Sequence, residues 1–157
     1  MSTLEYGFWE IVIEKQGRLK LPINLLKSLP ETERQHFWIT RGFGDNIALW
    51  TETAFRKQMN FLNSLDMSVI RNQKYRNNFL CNMSSVECDA QDRFVLPKLL
   101  MQRYEIDKEV VLLLDNGKIE IWNAAKYYEK FNMSPTEFNE ANEEMHSTHQ
   151  LNNFENF

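Results

Sequence analysis

Apolar and polar positions alternate through WEIVIE (9–14) and again through SVECD (85–89), and each run stops at a turn signal, QG in the first and QD in the second. Period-two patterning bounded by turn residues predicts strands. After each turn a short return strand, RLKL or RFVL, leads into a proline (Pro22, Pro97) and a brief apolar run, INLLKSL or KLLMQRY. Proline is favoured at the first helical position, where its missing N–H has no partner to lose and its fixed φ already suits the helix. Two further strands follow each short helix: HFWITR and NIALW around GFGD, then EVVLLL and KIEIW around DNG. Longer helices are predicted over about 51–64 and over NAAKYYEKF.

These are one pattern written twice. At an offset of 75, the pairs Gln16/Gln91, Arg18/Arg93, Leu21/Leu96, Pro22/Pro97 and Leu25/Leu100 are identical, and Glu14/Asp89 is conservative. Farther on, Ile47/Ile119 and Trp50/Trp122 agree at an offset of 72, and the three-residue difference falls in the glycine-bearing turn between them. Such agreement marks an internal duplication. Asp92 stands where the first copy has Gly17, and aspartate tolerates the left-handed backbone that such a turn needs.

One copy of ~50 residues buries too little surface to stand alone, whereas two can cover each other. The expected fold is therefore α+β and β-rich: a pseudo-two-fold swapped-hairpin barrel of two tandem repeats with short helices, closure removing the open edges. The first repeat is placed at 8–64, a connecting helix at 65–80 and the second repeat at 81–133. The last segment, 134–157, reads as an acidic tail, a frayed helix and then disorder.

An [ED]-x-x-x-R turn, a return strand, proline and a short helix, then a strand hairpin, is the pattern of the AbrB-type swapped-hairpin barrel. Two such copies, with ITRGFGDNIALW in the middle and EVVLLLDNGKIEIW near the end, resemble the MraZ family of bacterial transcription regulators from about residue 8 to residue 131. The resemblance implies a cytoplasmic, nucleoid-associated regulator of a division and cell-wall gene cluster. It also implies a ring-like homo-oligomer that binds repeated promoter boxes in double-stranded DNA. The family's DNA-contacting arginine maps onto Arg18 and Arg93; with Lys15, Gln16 and Lys20 beside Arg18 these make the candidate DNA-binding set. Gln16, Asp92, Leu26 and Met101 depart from the family pattern. They keep a second reading open, an antitoxin-like interaction module of the same fold with weak or no DNA binding, acting through its acidic tail.

Arginine chemistry suits such a contact, because the planar guanidinium can fork onto a phosphate or onto the O6/N7 edge of guanine. A hairpin tip is narrow enough to approach a groove. Glu14, four residues before Arg18, is placed to orient the guanidinium and to hold the turn by accepting backbone N–H groups; an internal brace is the other role open to this pair. Arg56, Lys57, Arg71, Lys74 and Arg76 form the densest basic region, either a solvated helix face or a track for phosphates. Trp50, Trp122, Phe37, Trp38, Phe94 and Tyr104 read as core.

The formal charge of −4 does not oppose a polyanionic partner, because it is unevenly spread. Residues 1–133 hold all 18 Lys and Arg against 17 Asp and Glu, and 134–157 add five Glu and no base. With 43% apolar and 25% charged residues the composition is that of a soluble globular protein. No apolar run nears the ~20 residues of a membrane span, so no membrane partner is expected. MSTLEYGFWE lacks the basic start of a signal peptide, and two cysteines, Cys81 and Cys88, make a poor disulfide framework. Those cysteines with His146 and His149 match no zinc-finger spacing, so no metal is expected. Without a serine nucleophile elbow, HExxH or P-loop, no catalytic residue, cofactor or enzymatic activity is expected.

Overall fold

The computed structural model describes residues 5–155, with side chains to residue 149. Residues 1–4 and 156–157 lie outside it, and with them the start of the N-terminal stretch and the end of the acidic tail. The chain opens with strand β1 (Tyr6–Val12), passes through the turn at residues 15–17 and continues as β2 (Arg18–Lys20). Helix α1 (Ile23–Lys27) begins directly after Pro22 and is followed by β3 (His36–Arg41) and β4 (Ile47–Trp50). Helices α2 (Glu52–Ser64) and α3 (Ile70–Leu80) separate this half from the next. The second half runs β5 (Ser84–Glu87), β6 (Arg93–Val95), α4 (Lys98–Arg103), β7 (Glu109–Asp115) and β8 (Lys118–Asn123). It ends in α5 (Ala124–Phe131) and α6 (Pro135–Glu155).

Six strands form one antiparallel sheet in the order β1-β7-β8-β4-β3-β5, and β2 pairs with β6 in a separate two-stranded ribbon. Exchanging β1 for β5, β3 for β7 and β4 for β8 reads the same order from the other end. Register follows suit. In the central β4–β8 pair, Ile47 faces Ile121 and Leu49 faces Ile119; in the ribbon, Arg18 faces Val95 and Lys20 faces Arg93 about the Leu19–Phe94 pair.

The closed barrel expected from the sequence is corrected by this arrangement. The main sheet is open, with β1 and β5 at its two ends, each bonded to one neighbour. Closure would need the return strands inside the main sheet. Instead β2 keeps a single isolated bridge, Arg18 to Glu14 two residues past the end of β1, and turns away to meet β6. There Leu19, Leu21, Phe94 and Leu96 become almost wholly buried. Each such side chain contributes on the order of 1.5–3 kcal/mol when taken from water, which outweighs what one more ladder contact would add.

A single core joins the halves: Leu19, Leu21 and Leu25 with Phe94, Leu96 and Leu100, under a sheet face that includes Phe37, Ile39, Leu112 and Ile121. A second, smaller cluster gathers Trp50, Phe55, Leu62 and Phe79 between the sheet and α2 and α3. Trp122, Phe37, Phe94 and Tyr104 are buried as expected, and Trp38 is half-buried, stacked on Phe55 with Nε1–H donating to Glu52 at 2.6 Å.

Compact units divide after Lys126. In the second unit, Ser134 caps α6, its Oγ accepting from Glu137 N–H at 3.1 Å, and Pro135 occupies the first helical position. Where the sequence suggested a frayed helix and then disorder, the described residues form a continuous helix to Glu155. Among the described residues no helix is long and apolar enough to cross a membrane.

Candidate nucleic-acid interface

Both turns that lead into the ribbon require left-handed backbone. In the first, Gln16 (φ 63°) and Gly17 (φ 72°) are both left-handed, so two residues carry the reversal. In the second only Asp92 is left-handed, at φ 61°, as expected of an aspartate in that place. Main-chain bonds then tie each turn to the other copy: Leu21 N–H donates to Asp92 O at 2.9 Å, and Leu96 N–H donates to Gly17 O at 3.0 Å. The two turns therefore sit at opposite ends of the antiparallel ribbon, each tied by the main chain to the other copy's strand.

Their side chains differ more than their backbones. Lys15, Gln16, Arg18 and Lys20 are all exposed. Among the described residues none of these four has a side-chain hydrogen bond or ion pair. Arg93 is only 25% exposed and lies between two carboxylates. Its Nε–H donates to Asp89 Oδ2 at 3.2 Å, and its Nη1–H donates to Glu14 Oε2 at 3.4 Å. Asp89 also stitches its own turn, Oδ1 accepting from Gln91 N–H at 2.8 Å and Arg93 N–H at 3.0 Å. Those backbone donors, Arg93 first and Gln91 next, hold its carboxyl below the usual value, with the Arg93 guanidinium adding to them.

The expectation that Glu14 orients Arg18 needs correction. Glu14 reaches across the ribbon to Arg93 instead, and the turn-holding role falls to Asp89 alone. Chain length explains the asymmetry: glutamate is one methylene longer than aspartate and spans the gap, while Asp89 is committed to its own backbone. No periodicity in the sequence could expose a partner 79 residues away.

The basic region of α2 and α3 is divided by the fold. Arg56 pairs with Glu52 one helical turn back at 2.9 Å, and Arg76 contacts Asn63 Oδ1 at 3.5 Å. Arg71 and Lys74 instead line a groove together with Arg41, which the sequence reading did not single out. Cys88 is half-buried, and desolvation, with Asp92 and Asp89 nearby, pushes its thiol up to about 12, which leaves it unreactive at neutral pH. Among the described residues no group of three or more His, Cys, Asp or Glu is placed to hold a metal ion.

The first turn thus presents exposed cations with no side-chain partner among the described residues, and the second presents an arginine already paired to two carboxylates. Proteins of known name are similar to this chain. Residues 79–150 match a family described as "MraZ protein, putative antitoxin-like". Over 125 residues the chain is 27% identical to the transcriptional regulator MraZ of Cytophaga hutchinsonii, covering 80% of this chain and 82% of that one. It is 29% identical over 140 residues to the protein of the same name from Christiangramia forsetii (88% and 90%). A third, from Finegoldia magna, is 27% identical over 128 residues (82% and 87%). The resemblance to the MraZ family, read from the two turns and their hairpins, is borne out by these matches.

Proposed function

We propose that this protein is a transcriptional regulator that binds double-stranded DNA through the turn at Glu14–Lys20, with Arg18 as the principal contact and Lys15, Gln16 and Lys20 around it. The observation that carries the proposal is the state of Arg18: exposed, unpaired among the described residues, and flanked by two cations on a backbone-held ribbon. A guanidinium with no internal partner keeps its full set of donors for phosphate or a guanine edge. Arg93 takes a lesser part, since an approaching phosphate must compete with Glu14 and Asp89 for it.

The finer reading belongs to the same proposal. Its parts are two tandem AbrB-like repeats with exchanged strands, a ring-like homo-oligomer, nucleoid placement in the cytoplasm, and repeated promoter boxes in a division and cell-wall gene cluster. Reciprocal register about the Leu19–Phe94 and β4–β8 pairs supports the two-repeat part. One turn per subunit binds weakly, and several turns engaged at once on repeated boxes raise the effective concentration. A second reading, an interaction module with weak DNA contact, draws support from the clamped state of Arg93, which leaves one free arginine where the family pattern offers two.

A gel shift with the region upstream of the protein's own gene, at low salt, tests the proposal. Binding by the parent protein and its loss in folded Arg18→Ala are expected, with a log–log salt slope of about −0.9 per phosphate neutralised. No shift by the parent, together with a stable protein partner in pull-down, would favour the interaction module.

A further inference from the structure

Away from the ribbon, a groove of about 460 Å³ lies between α3 and the β3–β4 hairpin. Its walls bring Arg41, from the end of β3, together with Arg71 and Lys74 of α3, and no acidic side chain lines it. Arg71, Lys74, Tyr75 and Asn78 fall three and four residues apart, so one face of the helix looks into the groove. Apolar residues normally fill such a face where a helix meets a sheet; here Phe79 is the one fully buried residue of α3, and the groove face carries Arg71, Lys74, Tyr75 and Asn78. Arg41 Nη1–H donates to Asn78 Oδ1 at 3.1 Å, which steadies the guanidinium across the groove and leaves its other donors open.

Aromatic surface accompanies this charge. Phe43, 55% exposed at the hairpin tip, is backed by Phe79 (6.3 Å between centroids, 17° between planes) and by Trp50 edge-on at 6.0 Å. Tyr75, 40% exposed, lines the same groove from α3. Three like charges held together without a counter-charge repel one another, and a bound anion relieves that repulsion. Exposed rings beside them offer a stacking surface to a planar group. Its volume lies within the ~300–1,000 Å³ of small-ligand sites. Duplex DNA is a convex rod and cannot enter so narrow a cleft, whereas one base with its phosphates can.

We propose that this groove is a binding site for a free mononucleotide, its phosphates held by Arg41, Arg71 and Lys74 and its base set against Phe43 and Tyr75. The site is separate from the DNA-contacting turn and stands whether or not that turn binds DNA.

Isothermal titration of the full chain with AMP, GMP and GDP, and with inorganic phosphate and adenosine as component probes, tests it. Saturable binding of at least one nucleotide is expected, with phosphate and adenosine each at least about tenfold weaker, the loss of roughly one charged hydrogen bond or one stacked base. The exposed pair Arg71→Ala/Lys74→Ala weakens nucleotide binding by about tenfold or more, and Phe43→Ala weakens it while leaving phosphate binding unchanged. Arg18→Ala leaves all of these affinities as they were, which separates this site from the DNA turn. Thermal melts of each variant establish that it remains folded. Absence of binding by every nucleotide at millimolar concentration overturns the proposal. So does phosphate binding as tightly as the nucleotides, or a folded double variant that binds them unchanged. A double variant that loses DNA binding when no nucleotide binds also overturns it, and assigns the groove to the DNA surface.

Discussion

At the first turn the guanidinium of Arg18 stands in solvent with Lys15 and Lys20 near it, whereas at the second Arg93 is held between Asp89 and Glu14. The backbones around them are alike, down to the reciprocal bonds from Leu21 and Leu96. A duplicated scaffold thus carries one arginine available to a partner and one spent on the protein's own cohesion. Sequence identity at Arg18/Arg93 does not imply identity of role, because role depends on which carboxylate each side chain can reach. The replacement of Gly17 by Asp92 adds to the divergence, placing an acidic group beside the second arginine and none beside the first.

The comparison breaks most directly at the arginines themselves. Arg18→Ala should weaken DNA binding by about 10- to 100-fold, the loss of one or two charged hydrogen bonds. Arg93→Ala, already screened by its carboxylates, should cost less than about threefold; gel shifts on the same promoter fragment compare the two. Equal losses would show that the clamp opens on binding and that the turns act alike.

Backbone demand differs next. Gly17→Ala forces an alanine to φ 72°, with Met101 Sδ 3.3 Å from the new Cβ. It should destabilise by about 1–2 kcal/mol, read as a lower Tm in a thermal melt. Asp92→Gly places glycine where the backbone is already left-handed and should change stability by no more than about 0.5 kcal/mol.

A smaller effect comes from opening the clamp. Glu14→Gln with Asp89→Asn keeps the Oδ1 acceptor that holds the second turn but removes both charges from Arg93. DNA binding should tighten a few-fold and its salt slope should steepen by about 0.9, one additional phosphate engaged.

The smallest expected effect is that of acid. Because the folded Asp89 carboxyl sits below the ordinary 3.8, its contribution to stability is present above that value and is lost as pH falls through the lower folded value. Asp89→Asn should remove this part of the acid sensitivity, measured by melts from about pH 5 downward, while changes at the first turn leave it in place.

Much of this was legible in the chain beforehand, and for a physical reason. Strand alternation, the short helices that follow Pro22 and Pro97 (each proline at the N-cap, one residue before the expected first helical position) and the left-handed site at residue 92 depend on neighbours in sequence, so the sequence displays them. Pairing partners do not. Whether β2 returns along β1 or crosses to β6 is decided by where Leu19 and Leu21 find apolar company, and that answer lies 75 residues farther on. Closeness in the chain points Glu14 at Arg18, whereas the fold brings it to Arg93. The groove was half visible: Arg71 and Lys74 stood out as a basic run, while Arg41 and Phe43, on a distant hairpin, carried no signal that would join them.

The cross-ties that fasten each turn to the other copy's strand run from main-chain N–H of residues 21 and 96 to main-chain oxygen of residues 92 and 17. Any residue offers that oxygen, whatever its side chain. Where the backbone is not left-handed, as at Lys15 and Arg18, substitution can therefore proceed without unfastening the frame, much as labels can be changed on a shelf whose brackets stay bolted; residues 17 and 92 stay bound by their φ. Divergence in the side chains the tips carry leaves the frame in place, and the unequal pair of arginines is an instance of it.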